Sequence, residues 1–239
     1  MIGLAGAGKD TVASFLVESA GFCRIGFADA LYDEVAADFA VSREFLGFRT
    51  NKETPTSELS LANATDIRFV EAALRATRKA STRRAAFALA SGRGIQRGMA
   101  RRAKKEITRP RTSRWTMQMW GTEFRRLGSY GVDSYWIDKV KATISESPDV
   151  DFVVTDVRFR NEAALVLALG GCLWRVRRPK LEHVASLNRL SRAAFAHSSE
   201  TEMLDYPTVA TFLNDEGSLA ALRSKVLDVA LGWDMRLAA

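Results

Sequence analysis

The sequence predicts a single α/β domain with insertions, and three observations lead to this prediction. A chain of 239 residues can bury one sizeable core. The first eleven residues form a glycine-rich loop that opens into an apolar, periodic helix. An apolar strand, Asp151 to Thr155, ends at the carboxylate of Asp156, and parallel α/β sheets place functional groups at strand ends.

The opening loop has the composition of a phosphate-binding site. Gly3 is followed by four residues, then Gly8 and Lys9, with Asp10 where Ser or Thr usually stands. Backbone N–H groups converge on a phosphate only where no Cβ blocks the approach, and the start of the next helix adds its dipole. Lys9 supplies a mobile charge. The predicted nucleotide-binding residues are Gly3, Gly6, Ala7, Gly8, Lys9, Asp10 and Thr11.

The strand that normally precedes such a loop is nearly absent. About five buried residues are typical, and only Met1 and Ile2 precede Gly3. Either this strand is missing, or Met1 to Leu4 is the strand and the loop is short. An in-frame start upstream of Met1 would indicate a truncated version of a longer enzyme.

A helix and a strand follow the loop. The helix is predicted over Thr11–Ser19 and ends near Gly21, which suits a C-terminal cap. Phe22–Ala28 is predicted as a buried strand. Asp29 ends it, before the helical run Leu31–Phe39, so Asp29 can cap that helix, contact a substrate, or do both.

The next segment is polar and then strongly basic. Ser42–Gly47 is predicted as a short helix or turn and 49–60 as a loop. Asn63 is the predicted cap of a helix with Ile67, Val70 and Leu74 on one face. A basic helical insertion is expected over about 63–113.

The positive charge is confined to one segment. The chain carries a net charge of +7, but residues 75–114 alone contain fourteen Lys or Arg and a single acid, Glu106. The rest of the chain is therefore acidic. A solvated hairpin or partly disordered insertion is favoured over a nucleic-acid surface, because a single aromatic residue, Phe87, does not make a platform for stacking on bases.

The segment Arg114–Leu127 is predicted as a helix with a polar stripe. Residues four apart share a helical face, and the stripe runs through a helix rich in Trp and Met. A ligand-facing surface is favoured over an amphipathic surface helix. The stripe residues are Arg114, Gln118, Thr122 and Arg126. Asp133 or Ser134 is the predicted cap of the next helix.

The best strand of the chain leads to charged residues. Asp156 follows this strand, as does the carboxylate near the magnesium of phosphate-loop enzymes. Arg158 has the fork geometry that suits a phosphate. Asn161 is the predicted cap of a helix that ends at Gly170.

The remaining elements complete the domain. Strands are predicted at 173–176 and 208–213, and a closing helix at 218–231. Between the strands, a mobile lid over about 178–200 would carry Arg189 and Arg192 and exclude water. Ser199 has the spacing of a helix cap.

Composition excludes several classes of protein. Two Cys and two His leave no zinc spacing. No apolar run is long enough to span a bilayer, and the loop begins directly at the N-terminus, so the protein is expected in the cytoplasm.

Several stretches recur together in one known family. They cover nearly the whole chain except the basic insertion and parts of the lid: Gly8-Lys9-Asp10-Thr11, Phe27-Ala28-Asp29, Arg114 through Gln118 to Gly121-Thr122-Glu123 and Arg126, Trp136, Asp156-Val157-Arg158-Phe159 with Asn161-Glu162, Gly170-Gly171, Arg178-Pro179, and His197-Ser198-Ser199-Glu200. In this order they resemble the deoxynucleoside monophosphate kinases of tailed bacteriophages, a branch of the phosphate-loop kinases. That family also has Asp after the loop lysine.

The resemblance implies a doubly wound parallel sheet of about five strands with flanking helices. It also implies ATP and Mg²⁺ as cofactors, and host cytoplasm as the location if the protein is phage-encoded. The expected metal residues are Asp10, Thr11 and Asp156. The expected catalytic residues are Lys9, Asp29, Arg158, Arg189 and Arg192. The expected acceptor-binding residues are Asp29, Arg114, Gln118, Thr122, Arg126, Trp136 and Arg158.

Two other functions stay open from the sequence. One is a phosphate-loop kinase for another small metabolite, such as dephospho-coenzyme A. The other is a nucleic-acid-binding protein on a decayed kinase scaffold, driven by the basic segment. Whether the protein forms a homodimer also stays open.

Overall fold

A computed structural model of the protein describes residues 1–76, 104–126, 134–187, 202–215 and 217–237. The chain divides into two compact units. The first consists of Met1–Phe27 and Ile137–Ala239, and the second of Ala28–Trp136. The glycine-rich loop lies in the first unit and the basic insertion in the second.

Short parallel strand pairs form the sheets of the first unit. Strand β1 (Cys23–Ile25) pairs with β2 (Phe152–Val154), and β3 (Trp174–Arg177) pairs with β4 (Ala210–Leu213). The prediction of a doubly wound sheet of about five strands is therefore wrong, because the described residues form two separate sheets of two strands each.

The reason lies in the residues before the loop. Ile2 makes an isolated parallel bridge to Arg175, donating its N–H to the Trp174 carbonyl at 2.9 Å and accepting from the Val176 N–H at 2.9 Å. The amino group of Met1 donates to the Val154 carbonyl of β2. These are single contacts and not the ladder of a strand, so they do not join the two sheets into one.

The helices follow the predicted order, with shifted ends. Helix α1 (Lys9–Ala20) begins two residues earlier than predicted. It is followed by Gly21, whose φ of 73° is the left-handed cap conformation. Segment 49–60 was predicted as a loop but contains helix α4 (Arg49–Glu53) and a 3₁₀ turn at Ser57–Leu59. In order, the helices are α1 (Lys9–Ala20), α2 (Phe27–Phe39), α3 (Arg43–Gly47), α4 (Arg49–Glu53), α5 (Ile67–Ala76), α6 (Ser113–Gln118), a π-helix (Met119–Arg126), α7 (Tyr135–Ser145), α8 (Arg160–Ala168), α9 (Pro179–Leu187) and α10 (Leu219–Leu237).

One apolar core holds the first unit together. Val12 and Leu16 of α1 are buried with Val176 of β3, Phe212 of β4 and Val226 of α10. Burying such side chains stabilises a fold by about 1.5–3 kcal/mol each. The core therefore fixes α1, and with it the loop that precedes α1, against β3 and β4.

An aromatic cluster forms the core of the second unit. The ring of Phe69 lies 5.9 Å from Phe39, 4.6 Å from Trp120 and 5.7 Å from Phe124, measured between centroids. Helix α5 is attached to this core through buried Asp38, whose Oδ1 accepts from the Asp66 N–H at 2.6 Å. Asn63, the predicted cap of α5, instead holds the Ser57 and Glu58 carbonyls.

Most of the basic insertion, residues 77–103, lies outside the described residues. The structure describes its last part, from residue 104 onward. Arg111 is 8% exposed, pairs with Glu106 and stacks on the ring of Trp115 at 4.1 Å. The single acid of the basic segment therefore neutralises a buried arginine. Across the described ranges, every helix is too short or too polar to cross a bilayer.

Candidate functional site

Three glycines give the loop its course. Gly3, Gly6 and Gly8 have φ values of 147°, 79° and 99°, which side chains other than glycine rarely adopt. Gly8 is the N-cap of α1 and makes no side-chain cap hydrogen bond. The first N–H groups of a helix have no partner within it, so this N-terminus can bind an anion.

Lys9 is folded back over its own loop. Its Nζ donates to the carbonyl of Gly3 at 2.9 Å and to that of Leu4 at 3.0 Å. Phosphate oxygens would replace these carbonyls as acceptors. Asp10 is exposed in the first turn of α1, and Thr11 beside it is partly buried.

Two neighbours press on the loop. A Cβ at Gly3 would meet the Val176 carbonyl oxygen, and one at Gly8 would meet Nδ2 of Asn214, both far inside the 3.0 Å that real Cβ contacts keep. Asn214 follows the predicted strand 208–213 and was not predicted as a site residue. Its signal in the sequence was its position directly after a strand, where parallel sheets place functional groups.

Asp156 lies where the sequence predicts, after β2. Its Oδ1 accepts a hydrogen bond from the N–H of Phe27 at 2.8 Å, so it caps the first residue of α2. Burial lowers the pKa of the Met1 amino group to about 5; the charge of Asp156 opposes this shift and that of Lys9 adds to it. The charges of Lys9 and Asp156 therefore both influence the pKa of the same buried group, the Met1 amino group.

Glu162, to which the sequence analysis gave no role, positions the backbone of Arg158. Glu162 is 2% exposed, and its Oε2 accepts from the N–H groups of Arg158 at 2.7 Å and Phe159 at 3.1 Å. The Arg158 side chain is exposed. Asn161, the predicted cap, lies inside α8 instead, because that helix begins at Arg160.

The first part of the predicted lid is helix α9. Glu182 of α9 accepts from Arg177 of β3, with Nη2 and Oε2 2.6 Å apart, and this contact holds the pKa of Glu182 below its usual value. Leu181 lies 3.8 Å from the point that a Cβ at Gly6 would occupy. Arg189, Arg192 and Ser199 lie outside the described residues.

The polar stripe of the second unit is interrupted by the π-helix. After Gln118 the backbone changes from α to π geometry, so Thr122 and Arg126 do not continue the i, i+4 face that was predicted. Arg114 pairs with Glu53 at 2.7 Å on the surface, 53% and 64% exposed, and this hydrogen bond lowers the pKa of Glu53.

Two predicted acceptor residues lie in different settings. Asp29 is in the first turn of α2, because the strand ends at Ile25 and the helix begins at Phe27. Trp136 is 3% exposed and donates from Nε1 to the Gly121 carbonyl at 3.1 Å. Its ring packs in the second unit, which favours a structural role.

Glu34 gathers the polar contacts of the second unit. Its Oε2 accepts from Trp120 Nε1 and Arg125 Nε, both at 2.9 Å, and its Oε1 accepts from the Tyr135 hydroxyl. Trp120 and Arg125 are five residues apart, the spacing of a π-helix hydrogen bond. Sequence reasoning missed Glu34, since its partners lie about 90 or more residues away.

This network predicts how the protein responds to alkali. Burial, helped by the hydrogen bond and charge of Glu34, raises the pKa of Tyr135 from 10.0 to about 12. Between these values the unfolded chain releases a proton that the folded protein keeps, so the contribution of Tyr135 to stability is intact below pH 10 and is lost as the pH rises towards 12. Tyrosinate absorbance should show a late phase that Tyr135→Phe removes and Glu34→Gln moves to lower pH. A late phase that persists in Tyr135→Phe would contradict the network.

Comparisons with known proteins assign no family. No family model matches the chain, and no curated protein matches it in sequence.

Proposed function

We propose that the protein is an ATP-dependent kinase that transfers the γ-phosphoryl group to the 5′-phosphate of a deoxynucleoside monophosphate. The observation that carries this proposal is the loop: three glycines with positive φ lead into an uncapped helix that begins at Lys9. Amides of this kind, with a lysine beside them, form a phosphate cradle. The order of motifs that resembles phage deoxynucleoside monophosphate kinases supports the nucleotide acceptor.

The loop would hold the ATP phosphates. Lys9 exchanges the Gly3 and Leu4 carbonyls for phosphate oxygens, which carry full negative charge and make stronger hydrogen bonds. The oxygen-bearing side chains proposed as metal ligands fit Mg²⁺, which prefers oxygen and takes one or two carboxylates together with substrate phosphates. They are Thr11, Asp10 and Asp156. When bound, Mg²⁺ would neutralise phosphate charge.

The acceptor is also an anion, so its site needs positive charge and positioning rather than a strong base. Arg158 presents an exposed guanidinium from a backbone held by Glu162. Arg114 leaves Glu53 for the acceptor at little cost, because exposed ion pairs contribute only about 0–1 kcal/mol. Within the second unit, the resemblance assigns Asp29, Gln118, Thr122 and Arg126 to the sugar and base of the acceptor.

Charge stabilisation in the transferring group is assigned to Arg189 and Arg192. Both belong to the segment predicted as a lid, which would close over the nucleotides and exclude water. The reaction takes place in the cytoplasm, which is that of the host if the protein is phage-encoded.

An acceptor screen tests this proposal. ADP release is measured with ATP, Mg²⁺ and each of dAMP, dCMP, dGMP, dTMP and dephospho-coenzyme A. Release that depends on at least one deoxynucleotide, and not on dephospho-coenzyme A, supports the proposal. Release with dephospho-coenzyme A alone favours the other kinase. Steeply salt-dependent DNA binding without any ADP release favours a nucleic-acid-binding protein.

A further inference from the structure

Asn214 joins the glycine-rich loop to the end of the sheet. It directly follows β4, and its backbone N–H donates to the Arg177 carbonyl at the end of β3, at 2.8 Å. Its side-chain Nδ2 donates to the Ala7 carbonyl, also at 2.8 Å. Both ends of Asn214 are therefore bonded, one to the sheet and one to the loop.

The bond to Ala7 fixes the direction of one N–H group. The peptide unit between Ala7 and Gly8 is planar and trans, so its C=O and N–H point in opposite directions. The Asn214 side chain donates a hydrogen bond to the Ala7 C=O, and the Gly8 N–H therefore points away from Asn214. Among the described residues, the Gly8 N–H has no hydrogen-bond acceptor. An N–H that is fixed in direction and left without an acceptor suits a phosphate oxygen.

Among the described residues, Asn214 makes the one side-chain hydrogen bond to the Ala7–Gly8 peptide. Gly8 has no side chain, and α1 begins without a side-chain cap. The φ of Gly8, 99°, is one that glycine reaches readily from other conformations. Without the Asn214 amide, only backbone hydrogen bonds of Ala7 and Gly8 and the burial of Ala7 restrain the Ala7–Gly8 peptide within the described ranges. Its carbonyl loses its hydrogen bond, and the cost of ordering the peptide around a phosphate would reduce the affinity.

We propose that Asn214 is a positioning residue for ATP, which holds the Ala7–Gly8 peptide so that the Gly8 N–H faces the phosphates. This inference rests on the proposed function, since it concerns the same loop. It differs in assigning a specific role to a residue outside the loop. Asn214 acts through the loop backbone, so it affects the phosphates of ATP and not the acceptor.

The test compares Asn214→Asp and Asn214→Ala with the wild type. Asp has the same shape but cannot donate to the Ala7 carbonyl, and Ala removes the amide without adding charge. Leu213→Asp is the matched control, because it adds the same charge at the neighbouring, exposed position. The binding of MgATP and of inorganic tripolyphosphate is measured by calorimetry. The Michaelis constants for ATP and the deoxynucleotide, and the thermal midpoint, are measured alongside.

Both Asn214 variants should bind ATP and tripolyphosphate about tenfold more weakly, as expected for the loss of one part-buried hydrogen bond. The Michaelis constant for the acceptor and the thermal midpoint should stay close to wild type, and Leu213→Asp should change binding less than either variant. Wild-type affinity in both Asn214 variants would overturn the inference and leave the proposed function standing. Equal losses for ATP and acceptor, or a collapse of the thermal midpoint, would show a purely structural role and overturn it too. A wild type that binds neither ATP nor tripolyphosphate would overturn both.

Discussion

Replacing Lys9 by alanine should reduce ATP-dependent phosphoryl transfer about 10²–10³-fold, the range found when one preorganised donor to a charged transition state is removed. Lys9 stands at the first position of α1, and its ammonium group donates to the Gly3 and Leu4 carbonyls of its own loop. Its removal therefore takes away a charge that phosphate would use. The rate of ADP release with a deoxynucleotide acceptor is the measurement.

The matched control for this variant is Lys225→Ala. Lys225 is an exposed residue of α10, and the substitution removes the same charge from the first unit without touching the loop. It should leave the rate within about twofold, since surface substitutions of this kind change stability by less than about 0.5 kcal/mol. Transfer at the wild-type rate by Lys9→Ala, with every deoxynucleotide tested, would show that the loop does not hold the transferring phosphates.

Replacing Gly3 by alanine should destabilise the first unit by about 2–6 kcal/mol. A φ of 147° costs a residue with a Cβ about 1–3 kcal/mol, and forcing a methyl group against packed backbone adds about 1–3 kcal/mol. The atom in the way is the Val176 carbonyl oxygen of β3, which cannot turn aside as a side chain would. Urea unfolding followed by circular dichroism measures the change.

Gly21→Ala separates the strain from the clash. Gly21 has a φ of 73° but no atom within 4 Å of a Cβ placed on it, so only the backbone strain remains. Its expected cost is about 1 kcal/mol. If the two variants were equally stable, the close approach of Gly3 to β3, and with it the bridge from Ile2 to Arg175, would not exist in solution.

The loop was predictable because its chemistry is local. Gly3, Gly8 and Lys9 stand within seven residues, and the backbone geometry that glycine permits is the geometry found. The position of Asp156 after a strand was predictable for a similar reason, because the apolar run before it predicts where that strand ends. Each of these predictions needed only neighbouring residues.

The sheet and the π-helix were not predictable in this way. Strand pairing depends on residues far apart in sequence, and Ile2 makes an isolated bridge to Arg175, 173 positions away, instead of a strand. The polar stripe from Arg114 to Arg126 assumed 3.6 residues per turn throughout. The hydrogen bonds of Met119–Arg126 follow the wider π pattern, which no residue in that segment signals by itself.

Partly buried polar residues were missed for a physical reason as well. Asn214 bonds to Ala7 across 207 positions of sequence, and Glu34 to Trp120 across 86. A lone Asn in a turn or Glu in a helix is most often solvated. Only the folded chain shows which of them accepts or donates within the protein.

Calorimetric titration of the wild-type protein with MgATP tests the central claim most directly, since the loop either binds the triphosphate or does not. We expect one binding site per chain, with a dissociation constant of roughly 1 μM to 1 mM, the range of typical Michaelis constants. Inorganic tripolyphosphate should compete for that site, because the loop recognises phosphate. The absence of any saturable binding up to about 10 mM ATP, well above that range, would contradict the claim.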